Sequence, residues 1–260
     1  MSFYLVDSFT DDHFKGNPAG VFIVDEFPDH YSMQRLANYY DWSEIAFVRH
    51  LAGDRYCIRW FSPLDEAPLC GHATLAAAHV ISKRGTSHND VMTFEYNTGT
   101  IQARLNQDSS ITMSFVVKPI HKCSDVPFSV EEILGINQYT EILKDDLIYV
   151  IVMKSSDDVL NAVPNFELIK KIDARAIAIT ASQNGAFDFS SRYFAPKVGI
   201  YEDPVCGSMH CRLAYYWRTV LGKTRFKAYQ PSSRTGVLGV EIVDNTVNLT
   251  GKAVIVCEFK

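Results

Sequence analysis

An internal repeat constrains the fold of this chain more than any other feature of its sequence. The first copy, at 59–72, reads RWFSPLDEAPLCGH, and the second copy, at 192–208, reads RYFAPKVGIYEDPVCGS and has a longer loop. The repeats of solenoid proteins recur about every 20 to 50 residues, and these two copies lie much farther apart. The repeat therefore predicts two similar halves rather than a stack of short units.

Each copy ends in a cysteine and a glycine at the predicted start of a helix. The first N–H groups of a helix are unpaired and its dipole is positive there, which favours a carboxylate or a developing oxyanion. Gly71 and Gly207 would let a ligand approach the backbone closely. If the two halves pack face to face, Cys70, Cys206 and the two glycines would bind a small carboxylate-bearing metabolite from opposite sides of one cleft. That arrangement suits an isomerase that moves a proton.

The bulk composition narrows the class of protein. The chain has 260 residues, 47% of them apolar, and a net charge of −5. A nucleic-acid binder would show a basic patch, so we expect a small-molecule partner and no nucleic acid. No apolar run approaches the about 18 residues of a membrane span, and residues 1–10 resemble a strand rather than a leader. We therefore expect a soluble, cytoplasmic protein that does not bind membranes and whose six cysteines are thiols.

Short strands rich in β-branched and aromatic residues dominate the sequence. They are predicted at 3–9, 20–25, 44–50, 56–61, 91–96, 100–105, 111–117, 146–153, 176–180, 187–194, 237–243 and 253–259. Asn-Thr-Gly at 97–99 joins two of them as a hairpin. The pattern predicts an α+β protein with a mostly antiparallel sheet.

Two of the predicted helices differ from the rest. The segments 29–40, 129–134 and 165–172 have the patterns of helices that cover a sheet. The segments 71–82 and 207–221 carry little charge on any face, so both should be buried. We expect each half to be a curved sheet or barrel wrapped around one of these two helices. The first half would comprise 1–117, with 250–260 returning to it, and the second half 118–249.

Glu44 is the carboxylate best placed for catalysis. It opens an otherwise apolar strand, so partial burial would raise the pKa of its carboxyl toward the range of a general base. A solvated acid at a strand end is the alternative interpretation. Asp203 precedes a proline and could simply form a turn, and His72 could be a helix residue without a catalytic role.

The cysteines could also serve packing or metal binding. A free cysteine is most often a buried packing residue, although the duplicated context favours a functional role here. Zinc ligands could come from Cys70, His72, Cys206, His210 and Cys211. Their spacings match no common zinc module, so no metal site is expected. The sequence has no Gly-x-Ser-x-Gly, Walker or dinucleotide motif, which favours acid–base chemistry over covalent catalysis.

Six motifs carry a resemblance to a known family. They are DSF at 7–9, GNPA at 16–19, SEIAFV at 43–48, RWFSP at 59–63, CGHATLA at 70–76 and EDPVCGSMH at 202–210. They follow one another in order along most of the chain, which resembles the phenazine biosynthesis PhzF-like family, with the fold of diaminopimelate epimerase. The resemblance implies two pseudo-symmetric halves with the active site between them, a homodimer and no cofactor.

The resemblance also implies a role for each matched residue. Glu44 falls on the general base that removes a proton from carbon and returns it elsewhere in a conjugated system. His72, Asp203 and Ser208 fall on its substrate-binding and proton-handling partners. The backbone of the two glycines would bind the substrate carboxylate.

One departure from the family leaves a second mechanism open. The family most often has threonine where this chain has Cys206, and Cys70 is also present. These positions match the paired cysteines of epimerases and racemases with the same fold, in which one thiolate removes an α-proton and the opposite thiol donates one. We therefore expect a cofactor-independent isomerase with Glu44 as base, and a two-cysteine amino-acid epimerase or racemase is the alternative. A catalytically silent member that binds a metabolite or a protein is the alternative of another class.

Overall fold

The computed structural model describes residues 1–40, 42–117 and 119–259 of the chain. The chain divides into two units, Met1–Phe115 together with Asn248–Lys260, and Val116–Val247. Lys118 and Lys260, where two of the predicted boundaries fall, lie outside the described residues, as does Asp41 ahead of Glu44. In the part of the chain that is described, no helix is both long and apolar enough to cross a membrane.

The first unit is built mainly from the N-terminal part of the chain. Its elements there are β1 (Ser2–Ser8), β2 (Asn17–Val24), α1 (His30–Tyr40), β3 (Glu44–Ala52), β4 (Arg55–Phe61), β5 (Glu66–Ala67), α2 (Gly71–Lys83), β6 (Val91–Tyr96), β7 (Gly99–Leu105) and β8 (Ile111–Phe115). β1 pairs antiparallel with β2, β2 parallel with β3, and β3 antiparallel with β4. β4 runs parallel to β6, and β6, β7 and β8 form an antiparallel meander. Antiparallel pairing therefore predominates, as the sequence predicts.

α2 is the central helix of the first unit. Its residues from His72 to Ile81 are all buried, and it packs against β1, β2, β3, β7 and β8. Four alanines on this helix keep it narrow, which lets strands approach it from several sides. The sheet of this unit surrounds α2, and the prediction of a buried central helix is confirmed here.

α1 covers the other face of the same sheet. The carboxylate of Asp29 accepts a hydrogen bond from the N–H of Ser32 at 3.0 Å, which explains why the helix begins at His30. Met33 and Ala37 are completely buried in an aromatic cluster with Phe47. The strand that begins at Glu44 is therefore packed on both faces.

The second unit has its own sheet and four helices among the described residues. Its elements are β9 (His121–Lys122), α3 (Val130–Leu134), β10 (Tyr139–Lys144), β11 (Ile148–Met153), α4 (Ser156–Asn161), α5 (Phe166–Lys171), β12 (Ala176–Ser182), β13 (Phe189–Phe194), a 3₁₀ turn (Pro196–Val198), α6 (Gly207–Leu221), β14 (Arg225–Gln230) and β15 (Gly236–Val243). β11 and β12 are parallel, as are β13 and β14, while the other neighbours pair antiparallel. A core of branched residues packs α3, α4 and α5 against β10 to β13.

The C-terminal strands return to the first unit. They are β16 (Thr246–Gly251) and β17 (Ala253–Phe259), and β17 pairs antiparallel with β1. The hydroxyl of Tyr4 donates to the carboxylate of Glu258 at 2.9 Å. The hydroxyls of Thr112 and Thr250 are 2.8 Å apart, which links β8 to β16.

α6 corrects one prediction, because this helix is buried on one face only. His210, Leu213 and Trp217 belong to the buried face. The other face is held by polar contacts: Arg212 Nε donates to Asp145 Oδ2 at 2.6 Å, and Tyr216 donates to Glu141 at 2.9 Å. The segment carries so little charge that its sequence does not reveal this polar face. One arginine and one tyrosine are enough to form it, because they pair with acids on β10 and in the turn that follows β10.

Candidate active site

Three side chains of different chemistry converge at the start of α2. Glu44 is the first residue of β3, Cys70 precedes the helix, and His72 lies in its first turn. His72 Nε2 is 3.3 Å from Glu44 Oε2, and His72 Nδ1 is 3.5 Å from Cys70 Sγ. The imidazole therefore lies between a carboxylate and a thiol.

Contacts with neighbouring strands hold this arrangement in place. The hydroxyl of Ser43 lies 3.3 Å from His72 Nε2 and can donate to Asn17 Oδ1 or to the Pro18 carbonyl, each at 3.0 Å. Ser8 Oγ donates to the backbone carbonyl of His72 at 2.9 Å. Glu44 itself lies beside β2 because β2 and β3 pair in parallel. The position of the imidazole is thus set by the ends of β1, β2 and β3.

The protonation state of His72 follows from its burial. Burial lowers the pKa of His72 to about 4, so the ring is neutral near neutral pH. When Glu44 is ionised it can only accept, which places the ring proton on Nε2, pointing to the carboxylate. Nδ1 is then an acceptor, and it faces the thiol of Cys70. Glu44 and His72 therefore form a hydrogen bond between a carboxylate and a neutral imidazole rather than a salt bridge.

The second group of predicted site residues lies at the start of α6. Cys206 Sγ is 3.5 Å from Ser208 Oγ, and Ser208 is exposed. Asp203 Oδ1 accepts a hydrogen bond from the N–H of Val205 at 3.1 Å. Gln230, on β14, accepts from the N–H of Cys206 at 3.0 Å and donates to the Asp203 carbonyl at 2.6 Å. Sequence reasoning missed Gln230, whose role depends on contacts between distant segments.

A second buried histidine, His210, forms a hydrogen bond with the backbone of Cys206. The backbone carbonyl of Cys206 can only accept, so His210 Nδ1, 2.7 Å away, carries the ring proton. His210 Nε2 then accepts from the hydroxyl of Ser191 at 3.1 Å. Burial lowers the pKa of His210 to about 4, so this ring is also neutral. In the first unit Thr74 has the matching role, because its hydroxyl donates to the Cys70 carbonyl at 2.6 Å.

Burial makes Cys206 a poor thiolate. Removal from water raises the pKa of the Cys206 thiol far above its ordinary value, and the nearby charge of Asp203 raises it further. The contact with Ser208 lowers it only in part. Cys206 is therefore a neutral thiol near neutral pH.

The repeated arginine proves to have a structural role. Arg59 forms a bidentate pair with Glu66 at 2.8 and 2.7 Å, and Arg192 forms one with Glu202 at 2.7 and 2.9 Å. In both copies the pair closes the loop that leads to the cysteine. Arg192 also donates to the Ala162 carbonyl at 2.8 Å, which ties its loop to the end of α4. Both acids are part of the repeat, which is the signal that could have revealed these pairs.

The starts of the two central helices differ from those of the outer helices. The side chains of Ser129, Ser155 and Asn165 each accept a hydrogen bond from a first-turn N–H of α3, α4 and α5. Among the described residues, Cys70 and Cys206 supply no such oxygen cap, although the Cys206 thiol accepts a hydrogen bond from the N–H of Met209. First-turn N–H groups without a side-chain cap can bind an anion, which the helix dipole also favours.

The sequence matches a family model over almost its whole length. Residues 6–259 match the PhzC-PhzF model, described as phenazine biosynthesis-like protein. The chain belongs to this family. It is 39% identical over 253 residues to an uncharacterised isomerase of Pseudomonas aeruginosa, with 97% of this chain and 95% of the relative covered. It is 33% identical to the human phenazine biosynthesis-like domain-containing protein, with 99% and 98% covered.

Solved structures agree with this membership. A PhzF-family phenazine biosynthesis protein from Enterococcus faecalis matches with a TM-score of 0.93 at 33% identity, covering 99% of this chain and 97% of that one. A hydroxyproline epimerase from Agrobacterium vitis matches at 11% identity with a TM-score of 0.60, covering 100% and 91%. The second likeness shows the fold alone, and the predicted α+β epimerase-like fold is confirmed.

Proposed function

We propose that the protein is a cofactor-independent isomerase that moves a proton within a small carboxylate-bearing metabolite, with Glu44 as the general base. The observation that supports this best is the Glu44 carboxylate held 3.3 Å from a buried imidazole at the uncapped start of α2. The names of the bacterial relatives support the reaction class, because several of them are called isomerases.

The proposed step is a proton transfer at carbon. The Glu44 carboxylate removes a proton from a carbon acidified by neighbouring unsaturation, and the resulting carboxylic acid returns the proton at another position. His72 orients the carboxylate by donating from Nε2. Because the pKa of His72 is about 4, the ring carries no charge near neutral pH. A charged imidazolium would stabilise the carboxylate and weaken it as a base, so the neutral ring preserves its basicity.

The remaining predicted residues would bind the substrate. We infer that the first-turn N–H groups at Gly71, and separately those at Gly207, are suited to bind a carboxylate, since neither helix start has an oxygen side-chain cap. Ser208 has an exposed hydroxyl that can donate to a substrate oxygen. Asp203 would accept a hydrogen bond from the substrate or hold the proton in transit.

The two-cysteine mechanism has less support. A thiol removes a proton from carbon only when part of it is thiolate. Burial and the charge of Asp203 raise the pKa of Cys206, which opposes ionisation. Glu44 is therefore the better base of the two.

Solvent-deuterium exchange tests the proposal. The wild-type protein would be incubated in D2O with cyclic and amino carboxylic acids, and deuterium in each compound would be measured by mass spectrometry. Glu44→Gln should lower the rate of exchange about 10²- to 10⁴-fold with the fold intact. Glu26→Gln is the matched control. Because Glu26 is exposed, this variant should catalyse exchange at the wild-type rate. Normal exchange in Glu44→Gln would remove Glu44 from the mechanism, and no exchange in any compound would favour a silent binding protein.

A further inference from the structure

We propose that Glu44, Cys70 and His72 bind one Zn²⁺ ion, and that the ion inhibits the protein by occupying the groups that would transfer the proton. The site is one of inhibition and not of catalysis. Thiolate sulfur, imidazole nitrogen and carboxylate oxygen are the three donor types that zinc takes in proteins. Within the described ranges, this is the one group of three such residues close enough to share an ion.

The distances suit a tetrahedral ion. One ligand atom from each residue lies within 4.8 Å of the other two, so a point at the centre is at most about 2.8 Å from each, and bonds to zinc are about 2.0 to 2.3 Å long. Cys70 and His72 therefore need to move by less than about 1 Å. The edge of such a tetrahedron between sulfur and nitrogen is about 3.5 Å, and Cys70 Sγ lies 3.5 Å from His72 Nδ1.

A single ion can take only one nitrogen of the ring. We infer that it takes Nδ1, because Cys70 and His72 are fixed relative to each other by the start of α2. Glu44 then supplies the third ligand by rotating away from Nε2, 3.3 Å from its carboxylate, toward the ion, which is a larger movement than Cys70 and His72 need. Cys70 binds as a thiolate and releases its proton to solvent, and the thiolate and the carboxylate together neutralise the two charges of zinc. The fourth position stays open for water or an anion, as in sites with three protein ligands.

The second unit provides an internal comparison. At the start of α6, Ser208 stands where His72 stands at the start of α2, so Cys206 has a hydroxyl in place of a ring nitrogen beside it. The imidazole of His210 is engaged with Cys206 O and Ser191 Oγ and is not available. Zinc binding should therefore depend on Cys70 and not on Cys206.

Binding is measured on the resting protein, so its outcome does not depend on the proposed isomerase reaction. Co²⁺ would be added as a spectroscopic substitute, followed by Zn²⁺ in competition and by isothermal titration. The wild type should bind one ion per chain, with a thiolate-to-cobalt charge-transfer band that Zn²⁺ removes. Cys70→Ser should lose the band and weaken zinc binding by at least about 10- to 100-fold, the loss that even outer-shell changes cause.

Cys206→Ser is the matched control and should keep both the band and the affinity. If Cys70→Ser fails to fold, Glu44→Gln is the second variant, and it should weaken binding while the band remains. A Cys70→Ser variant that is folded and titrates like the wild type would overturn the site, as would the absence of a one-to-one complex. Solvent-deuterium exchange that continues at the metal-free rate when the site is saturated with Zn²⁺ would overturn inhibition alone.

Discussion

The starts of α2 and α6 are held by matching hydrogen bonds, but they differ in the side chains that follow the cysteine. In both, an arginine–glutamate pair closes the preceding loop, and the residue four positions after the cysteine donates to the cysteine carbonyl. At α2 the next polar residue is a buried histidine against a carboxylate, whereas at α6 it is an exposed serine. From this difference we propose that both helix starts can bind an anion, and that the proton-transfer group lies in the first unit.

The largest effect should come from making the first site resemble the second. His72→Ser removes the imidazole that orients Glu44, and we expect solvent-deuterium exchange to fall about 10²- to 10⁴-fold, the usual scale of general acid–base catalysis. The comparison predicts that Ser208→Thr, which keeps a hydroxyl in the second unit, causes a smaller loss. Equal losses in the two variants would contradict a division of roles between the units.

Acid should destabilise both units through their buried histidines. The pKa values of His72 and His210 are lowered from 6.5 to about 4 in the folded protein, so the unfolded chain binds more protons between these values. The free energy of unfolding should therefore fall as the pH drops from 6.5 to 4 and level off below, by about 3 kcal/mol for each histidine.

Urea unfolding at pH 7 and at pH 4.5 measures this effect. His210→Gln should lose less free energy of unfolding between pH 7 and pH 4.5 than the wild type, whatever its stability at pH 7. His50→Gln is the control, because His50 is exposed and should leave the loss unchanged. A loss in His210→Gln equal to that of the wild type would show that this ring is not buried in its neutral form.

A smaller effect should separate the two arginine pairs. Arg192 is the more buried of the two and donates to the Ala162 carbonyl as well as to Glu202. Arg192→Lys loses the bidentate geometry and should lower the free energy of unfolding by about 1 to 3 kcal/mol. Arg59→Lys, in a more exposed pair, should cost about 1 kcal/mol or less. Thermal or urea unfolding of both variants tests this order, and a reversed order would contradict it.

The sequence predicts the elements with strong local patterns and misses those with weak ones. α6 has the predicted bounds, and α2 extends only one residue beyond its predicted end. β10 is missed because only Ile142 and Leu143 of its six residues are buried, and β14 is missed because charged residues separate its few buried ones. β11 begins at Ile148 rather than at 146, because the Asp145 carboxylate accepts the N–H groups of the turn before it.

The site is predicted in part for the same reason. Motif positions identify Glu44, Cys70 and His72, which the structure brings together. The sequence could not show that Gln230 bridges Cys206 and Asp203. Nor could it show that the hydroxyl of Ser191 donates a hydrogen bond to His210. These contacts join segments of the second unit that are distant along the chain, and only its fold brings them into contact.

The most direct test compares the carboxylate with the thiol as base. Solvent-deuterium exchange into a substrate of the wild-type protein would be measured side by side in Glu44→Gln and Cys206→Thr, with circular dichroism to verify folding. We predict a loss of about 10²- to 10⁴-fold in Glu44→Gln and a nearly unchanged rate in Cys206→Thr, which removes no proton-transfer group. Abolished exchange in a folded Cys206→Thr, with exchange preserved in Glu44→Gln, would show that Glu44 is not the base and would favour the two-cysteine mechanism instead.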